Sequence, residues 1–187
     1  MLRILDKNKV PVKGLRKYSD LCIENSIELD DKTLTFSVPY RNVRSAIAVE
    51  GYIETKEDRF VVKEIEKSSE GTANITAQLD LESLEGKPFR TFRSEEQTIK
   101  AALQLAFTGT GWTVGECSVS KKRTLSMANV SALDVLKQAL KTYRAEIKID
   151  SKKQSIDIYP EIGSDKGVYF SDRSEEHTSE LQSRQVI

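Results

Sequence analysis

Hydrophobic and polar positions change their spacing about halfway along the chain. Up to about residue 87 they alternate in twos. Leu34, Phe36 and Val38 are interleaved with Thr33, Thr35 and Ser37, the period of a strand with one buried face. Pro39 ends regular pairing there. Residues 59–65 (RFVVKEI) are rich in β-branched side chains and carry apolar residues on both faces. Ile75, Ala77 and Leu79 alternate with Asn74, Thr76 and Gln78, and Ser68-Ser69-Glu70-Gly71 between the two runs is a turn signal. The spacing therefore predicts a hairpin over 59–79, with weaker strands at 1–5 and 21–29. Glu85-Gly86-Lys87-Pro88 marks a boundary.

Beyond it the period lengthens. Ser94 and Gln97 have the spacing of a capping box, with Glu95 and Glu96 where a helix dipole favours acids. Ile99, Ala102, Leu103 and Ala106 follow at i, i+3, i+4 and i+7, and Gly109 is placed to end the helix in a left-handed conformation. A second helix is predicted from Ser131, with Asp134 completing a capping box and Val130 and Val135 in hydrophobic-staple positions. Its apolar face is Ala132, Val135, Leu136, Ala139, Leu140 and Tyr143. Ala145, Ile147 and Ile149, a turn at 150–154, then Ile156 and Ile158 read as a hairpin. Helices with one-sided stripes need strands to cover them, so this half is a small α+β unit.

The last fifteen residues change what counts as protein. Residues 173–183, RSEEHTSELQS, can be back-translated codon by codon into a common sequencing adapter read in frame, and Arg184, Gln185, Val186 and Ile187 fit its continuation. The expectation is that 173–187 is adapter-derived and that the natural chain continues past Asp172. The single histidine, His177, lies in that stretch, so 1–172 contains none.

The missing histidine removes Ser-His-Asp and Cys-His nucleophilic arrangements from 1–172 and the common histidine-based zinc sites. Acids are abundant, but nothing in the spacing fixes two carboxyls across a cleft. Basic and acidic residues balance at 29 each, leaving no field to attract nucleic acid or an anionic membrane. No apolar run approaches the ~20 residues that span a bilayer. Asp6 and the lysines after it interrupt any secretory h-region, so synthesis in a cytoplasm is expected.

Cys22 and Cys117 suit neither a zinc ribbon nor a redox pair and read as small, half-buried hydrophobes without a disulfide. Gly109-Thr110-Gly111-Trp112 follows a helix and precedes a strand expected over 112–116. It is a helix stop, not a phosphate cradle, and Trp112 is a core or seam anchor. Lys121-Lys122-Arg123 reads as a solvated turn. Arg90, Arg93 and Lys100, with Phe89 and Phe92 interleaved, read as a connector packing its aromatics. No catalytic, cofactor-binding or metal-binding residue is singled out.

The order of these segments resembles the prophage endopeptidase tail family, also called the phage minor structural protein N-terminal region. The likeness is carried by RFVVKEI at 59–65, the linker and helix at 93–107, GTGWTVG at 109–115, SALDVL at 131–136, and the hairpin at 146–159 followed by GSDKGV at 163–168. The resemblance implies an α+β baseplate-hub fold: a β-rich ring domain at 1–87, an inserted α+β domain at 88–160, and a return to the ring domain at 161–172. It also implies a structural, non-enzymatic part of a virion tail tip, assembled in the bacterial cytoplasm. Such hubs form homotrimers that dock on the tail tube beside the distal tail protein and the tape-measure protein. Family members often carry a peptidoglycan-cleaving or receptor-binding region C-terminal to this part. A cell-wall hydrolase and a host-surface binding module are accordingly the alternative readings. The β half, unable to finish its own core, is the candidate assembly surface, because neighbouring copies can complete its sheet edges.

Overall fold

The computed structural model describes residues 1–24 and 32–160. The first half forms an open, curled antiparallel sheet of seven strands: β1 (Leu2–Leu5), β2 (Pro11–Leu15), β3 (Ser19–Glu24), β4 (Thr33–Pro39), β5 (Tyr52–Glu54), β6 (Arg59–Lys67) and β7 (Thr72–Leu79). Their order is β2-β1-β5-β6-β7-β4-β3. Leu34, Phe36 and Val38 point inward from β4, and its register puts Phe36 opposite Ile75 of β7. The 59–79 hairpin is present with its turn at Gly71, whose φ of +80° suits a residue without Cβ. Leu5, Tyr52 and Val61 form a small separate cluster. The sequence pattern missed β2 and β5. Four of the five β2 residues are exposed and β5 has only three residues, so neither shows an alternation to read.

A short helix, α1 (Glu82–Glu85), turns the chain at the predicted boundary. Then β8 (Pro88–Thr98) pairs antiparallel with β10 (Lys122–Ser131) as a long ribbon. Helices α2 (Ile99–Phe107) and α3 (Ala132–Tyr143) pack on each other and on this ribbon. β11 (Glu146–Asp150) and β12 (Ser155–Tyr159) form the predicted hairpin, and β9 (Thr113–Cys117) adds to β12 in parallel. The fold is thus α+β, a ring-type sheet with a smaller helix-and-strand unit. Inward residues of both units belong to one continuous apolar cluster.

Four local expectations need correction. The first of the two long helices does not start at Ser94. β8 continues to Thr98, because β10 supplies backbone partners along its length, and Thr98 caps the helix by accepting the Ala101 N–H at 3.3 Å. Ser94 turns inward instead, and Glu96 takes up a β-bulge at φ 46°. Lys122 and Arg123 open β10, and Phe89 and Phe92 lie within β8, their rings edge-to-face at 5.3 Å. Cys22 is exposed on the outermost strand β3, whereas Cys117 is half-buried, and both are free thiols.

Other expectations agree with the structure. Ser131 and Asp134 form a reciprocal capping box. Gly109 follows the end of α2 at φ +82°. The part of the predicted 21–29 strand beyond Glu24, all of 161–172 and the adapter-like 173–187 lie outside the described residues.

Candidate functional site: open sheet edges and a charged seam

Two features stand out on the large sheet. The first is its pair of outer strands. β2 pairs only with β1, and β3 only with β4, among the described residues. All six residues of β3 are exposed. Seven large apolar side chains are more than two-fifths exposed among the described residues, and four belong to these edges: Val10 and Val12 at β2, Leu21 and Ile23 on β3. A strand edge offers unpaired N–H and C=O groups, and apolar side chains beside it add a reason to be covered. The sequence hinted at this only through the weak strand pattern at 21–29.

The second feature is a polar seam where the smaller unit meets the sheet. The turn joining β5 to β6 meets the turn joining β11 to β12. Ser151, fully buried, accepts the Arg59 backbone N–H at 2.8 Å and donates to Asp58 Oδ1 at 3.4 Å. Lys152 Nζ donates to the carbonyls of Thr55 and Lys56 at 3.2 and 2.8 Å. Trp112 donates its indole N–H to Ser83 Oγ at 2.9 Å, and Gln154 Nε2 reaches the same hydroxyl at 3.4 Å. The loop 109–112 thus stops α2, as its position after a helix predicted, and Trp112, expected in a core or a seam, anchors the seam. Gly111, at φ +84°, lets the chain turn there beside the Gln154 side chain.

Buried carboxylates near the seam are each held by a cation. Asp58 pairs with Lys32 at 2.6 Å. Asp80 pairs with Lys9 at 2.8 Å and stands 3.8 Å from Arg59, which also clamps Glu54 at 2.9 Å. These acids were not legible in the sequence, because Lys9 and Asp80 are 71 positions apart and meet only through the fold. Next to them, Lys63 bonds Glu82 at 2.9 Å and Glu50 at 3.3 Å, and Tyr52 donates to Glu82 at 3.1 Å. Burial, followed by the charges of Glu82 and Asp80, pushes the Tyr52 phenol up to about 12. Burial works against the charged form of Glu82, but the bonds it accepts from Lys63 and Tyr52 win and hold it below the usual range. Chemically these are structural pairs, in which each acid is neutralised by a cation held elsewhere in the fold.

The basic residues singled out in the sequence do not converge. Arg93 pairs with Glu95 on the exposed side of β8, and Lys100 Nζ bonds the Gly115 carbonyl at 3.0 Å. Among the described residues no three His, Cys, Asp or Glu side chains are grouped to hold a metal ion. Among the same residues no helix is long and apolar enough to cross a membrane.

Known folds share this architecture. The crystal structure of prophage tail protein gp18 from Listeria monocytogenes EGD-e superposes with a TM-score of 0.69 at 16% identity, over 85% of this chain and 50% of that one. The 43 kDa tail protein of prophage MuSo2 from Shewanella oneidensis gives 0.61 at 12% identity, over 89% and 56%. A tail protein from Neisseria meningitidis MC58 gives 0.58 at 8% identity, over 90% and 52%. At these identities the likeness is one of fold, and the chain spans about half the length of these structures. No curated protein matches the chain in sequence. Residues 2–79 match the prophage endopeptidase tail N-terminal domain, and residues 87–158 match the prophage endopeptidase tail domain. With these two matches in consecutive order along most of its length, the chain belongs to the prophage endopeptidase tail family.

Proposed function

We propose that this chain is a structural, non-enzymatic component of a tailed-phage tail tip: the N-terminal part of a baseplate hub that docks on the tail tube. The observation that carries the reading is the pair of exposed, apolar-bearing edges on an otherwise well-packed sheet. Such edges are satisfied when copies join around an axis, which builds a ring. On this reading the hub is a homotrimer that contacts the distal tail protein and the tape-measure protein, and it works at the virion tail tip after assembly in the host cytoplasm. The paired state of the buried carboxylates supports a building role, since each acid is engaged in holding strands together.

Mass photometry of the chain, and of any longer gene product that contains it, tests the reading. A three-fold particle is expected, and a strictly monomeric longer product at high concentration overturns it. Zymography on purified peptidoglycan tests the non-enzymatic part, and reproducible lysis by residues 1–172 overturns that.

A further inference from the structure

The β1–β2 turn and most of β2 form an arm with few ties to the rest of the fold. None of residues 6–14 is buried, while Leu5 and Leu15 at its two ends are each 3% exposed. The turn holds itself: the Asp6 carboxylate accepts the Asn8 and Val10 amides at 2.8 and 2.9 Å. Beyond it, β2 pairs only with β1 among the described residues. Pro11 has no N–H to donate, and the ladder shifts register beside Leu5. Lys13 Nζ reaches the Asn42 carbonyl at 2.6 Å, an exposed bond that water can replace.

One tie from this arm runs into the interior. Lys9 Nζ bonds Asp80, which is 2% exposed, at 2.8 Å, and it sits 4.8 Å from the centre of the Tyr52 ring. Lys9 holds a φ of 62°, the left-handed region that a lysine enters at a cost and a glycine enters freely. Asp80 has a second cation at hand. Arg59 Nη1 stands 3.8 Å from the same carboxylate oxygen, while the other guanidinium nitrogens clamp Glu54. Removing the sole partner of a buried carboxylate strands its charge, which makes most such pairs hard to break. Here the withdrawal of Lys9 leaves Arg59 to hold the acid, so the cost of letting go falls.

We propose that residues 6–14 are a releasable strap, latched by Lys9 on Asp80, with Arg59 as the standby cation. Peeling back between Leu5 and Leu15 relieves the left-handed Lys9, bares the Tyr52 ring and opens one edge of β1, while the rest of the sheet stays folded. The strap is a local opening of low free energy on a sheet that otherwise unfolds as a whole. The device belongs to a single chain and does not depend on assembly.

Hydrogen exchange of the full chain reads the latch. Lys9→Gly removes the amine and suits the left-handed backbone, so the turn itself is kept. The protected β2 amides are expected to exchange faster by on the order of tenfold or more, the factor of one charge-assisted hydrogen bond. The amides of Val62 and Ile75, in the middle of the sheet, are expected to keep the parent rates. Acceleration of both groups together makes Lys9 an ordinary contact of the whole fold and overturns the strap. Unchanged β2 rates overturn it as well. A double-mutant cycle in urea reads the standby cation. Lys9→Gly and Arg59→Gln together are expected to lose more stability than the sum of the single losses, since only then does Asp80 stand alone. Additive losses overturn the role given to Arg59. If Arg59→Gln does not fold, the exchange pattern of Lys9→Gly decides the strap by itself.

Discussion

The indole N–H of Trp112 lies 2.9 Å from the hydroxyl of Ser83, which also takes a bond from Gln154. Trp112 belongs to the loop after α2, and Ser83 to the short helix leaving the large sheet. Trp112 is the single tryptophan and is only 4% exposed, so its fluorescence reports on the seam. Ser83→Ala leaves a buried donor without its acceptor, which costs about 1–3 kcal/mol. Urea unfolding followed by tryptophan emission is expected to show a lower midpoint with unchanged slope. An unchanged midpoint means that the bond contributes nothing.

Ser151 makes a second test of the same seam. Ser151→Ala removes the acceptor of the Arg59 amide and one donor to Asp58. The expected loss is again about 1–3 kcal/mol, for a buried group left unpaired. Hydrogen exchange should show the Arg59 amide opening faster, while amides in the middle of β7 change little.

The capping box of α3 gives a stability prediction and a pH prediction. Ser131→Ala is expected to cost about 1 kcal/mol. The Ser131 backbone N–H and then its hydroxyl hold Asp134 below the ordinary aspartate value. A depressed carboxyl contributes stability that is present above its unfolded value, near 3.9, and is lost as pH falls through the lower folded value. Thermal melts between pH 5 and 2 should therefore show a smaller acid loss in Asp134→Asn than in the parent.

Tyr52 acts at the other end of the scale. Its phenol is raised to about 12 by burial and by the nearby Glu82 and Asp80. The contribution of a raised group is complete below its unfolded value, near 10, and disappears as pH rises through the folded value. Between pH 10 and 12 the parent is expected to lose more stability than Tyr52→Phe. Absorbance titration of tyrosinate should show one phenol fewer titrating late in the variant.

What could be read from the chain follows the physics of each element. β4, the β6–β7 hairpin, α3 and the β11–β12 hairpin each bury one regular face, so their periodicity carries the information. β2 is exposed on nearly every residue, so it shows no alternation even though its partner β1 falls within the strand expected at 1–5. Ser94 shows a different failure. Its spacing to Gln97 imitates a helix cap, but pairing with β10 outcompetes the local preference by satisfying the same backbone groups. Unpaired outer strands were expected from the β half, but its core is finished by residues of the smaller unit, which the spacing along the chain does not reveal. The seam acids Glu54, Asp58 and Asp80 were not expected, since their partners come from elsewhere in the fold.

The bond between Ser151 and the Arg59 amide joins residues 92 positions apart. At about 5–20 residues per second, roughly 5–20 s pass on the ribosome between the two. Through that interval the Arg59 amide has only water in place of Ser151, and the nascent sheet waits for its last fastening. Translation speed across the α2–α3 stretch thus sets how long the early half stands open to wrong partners.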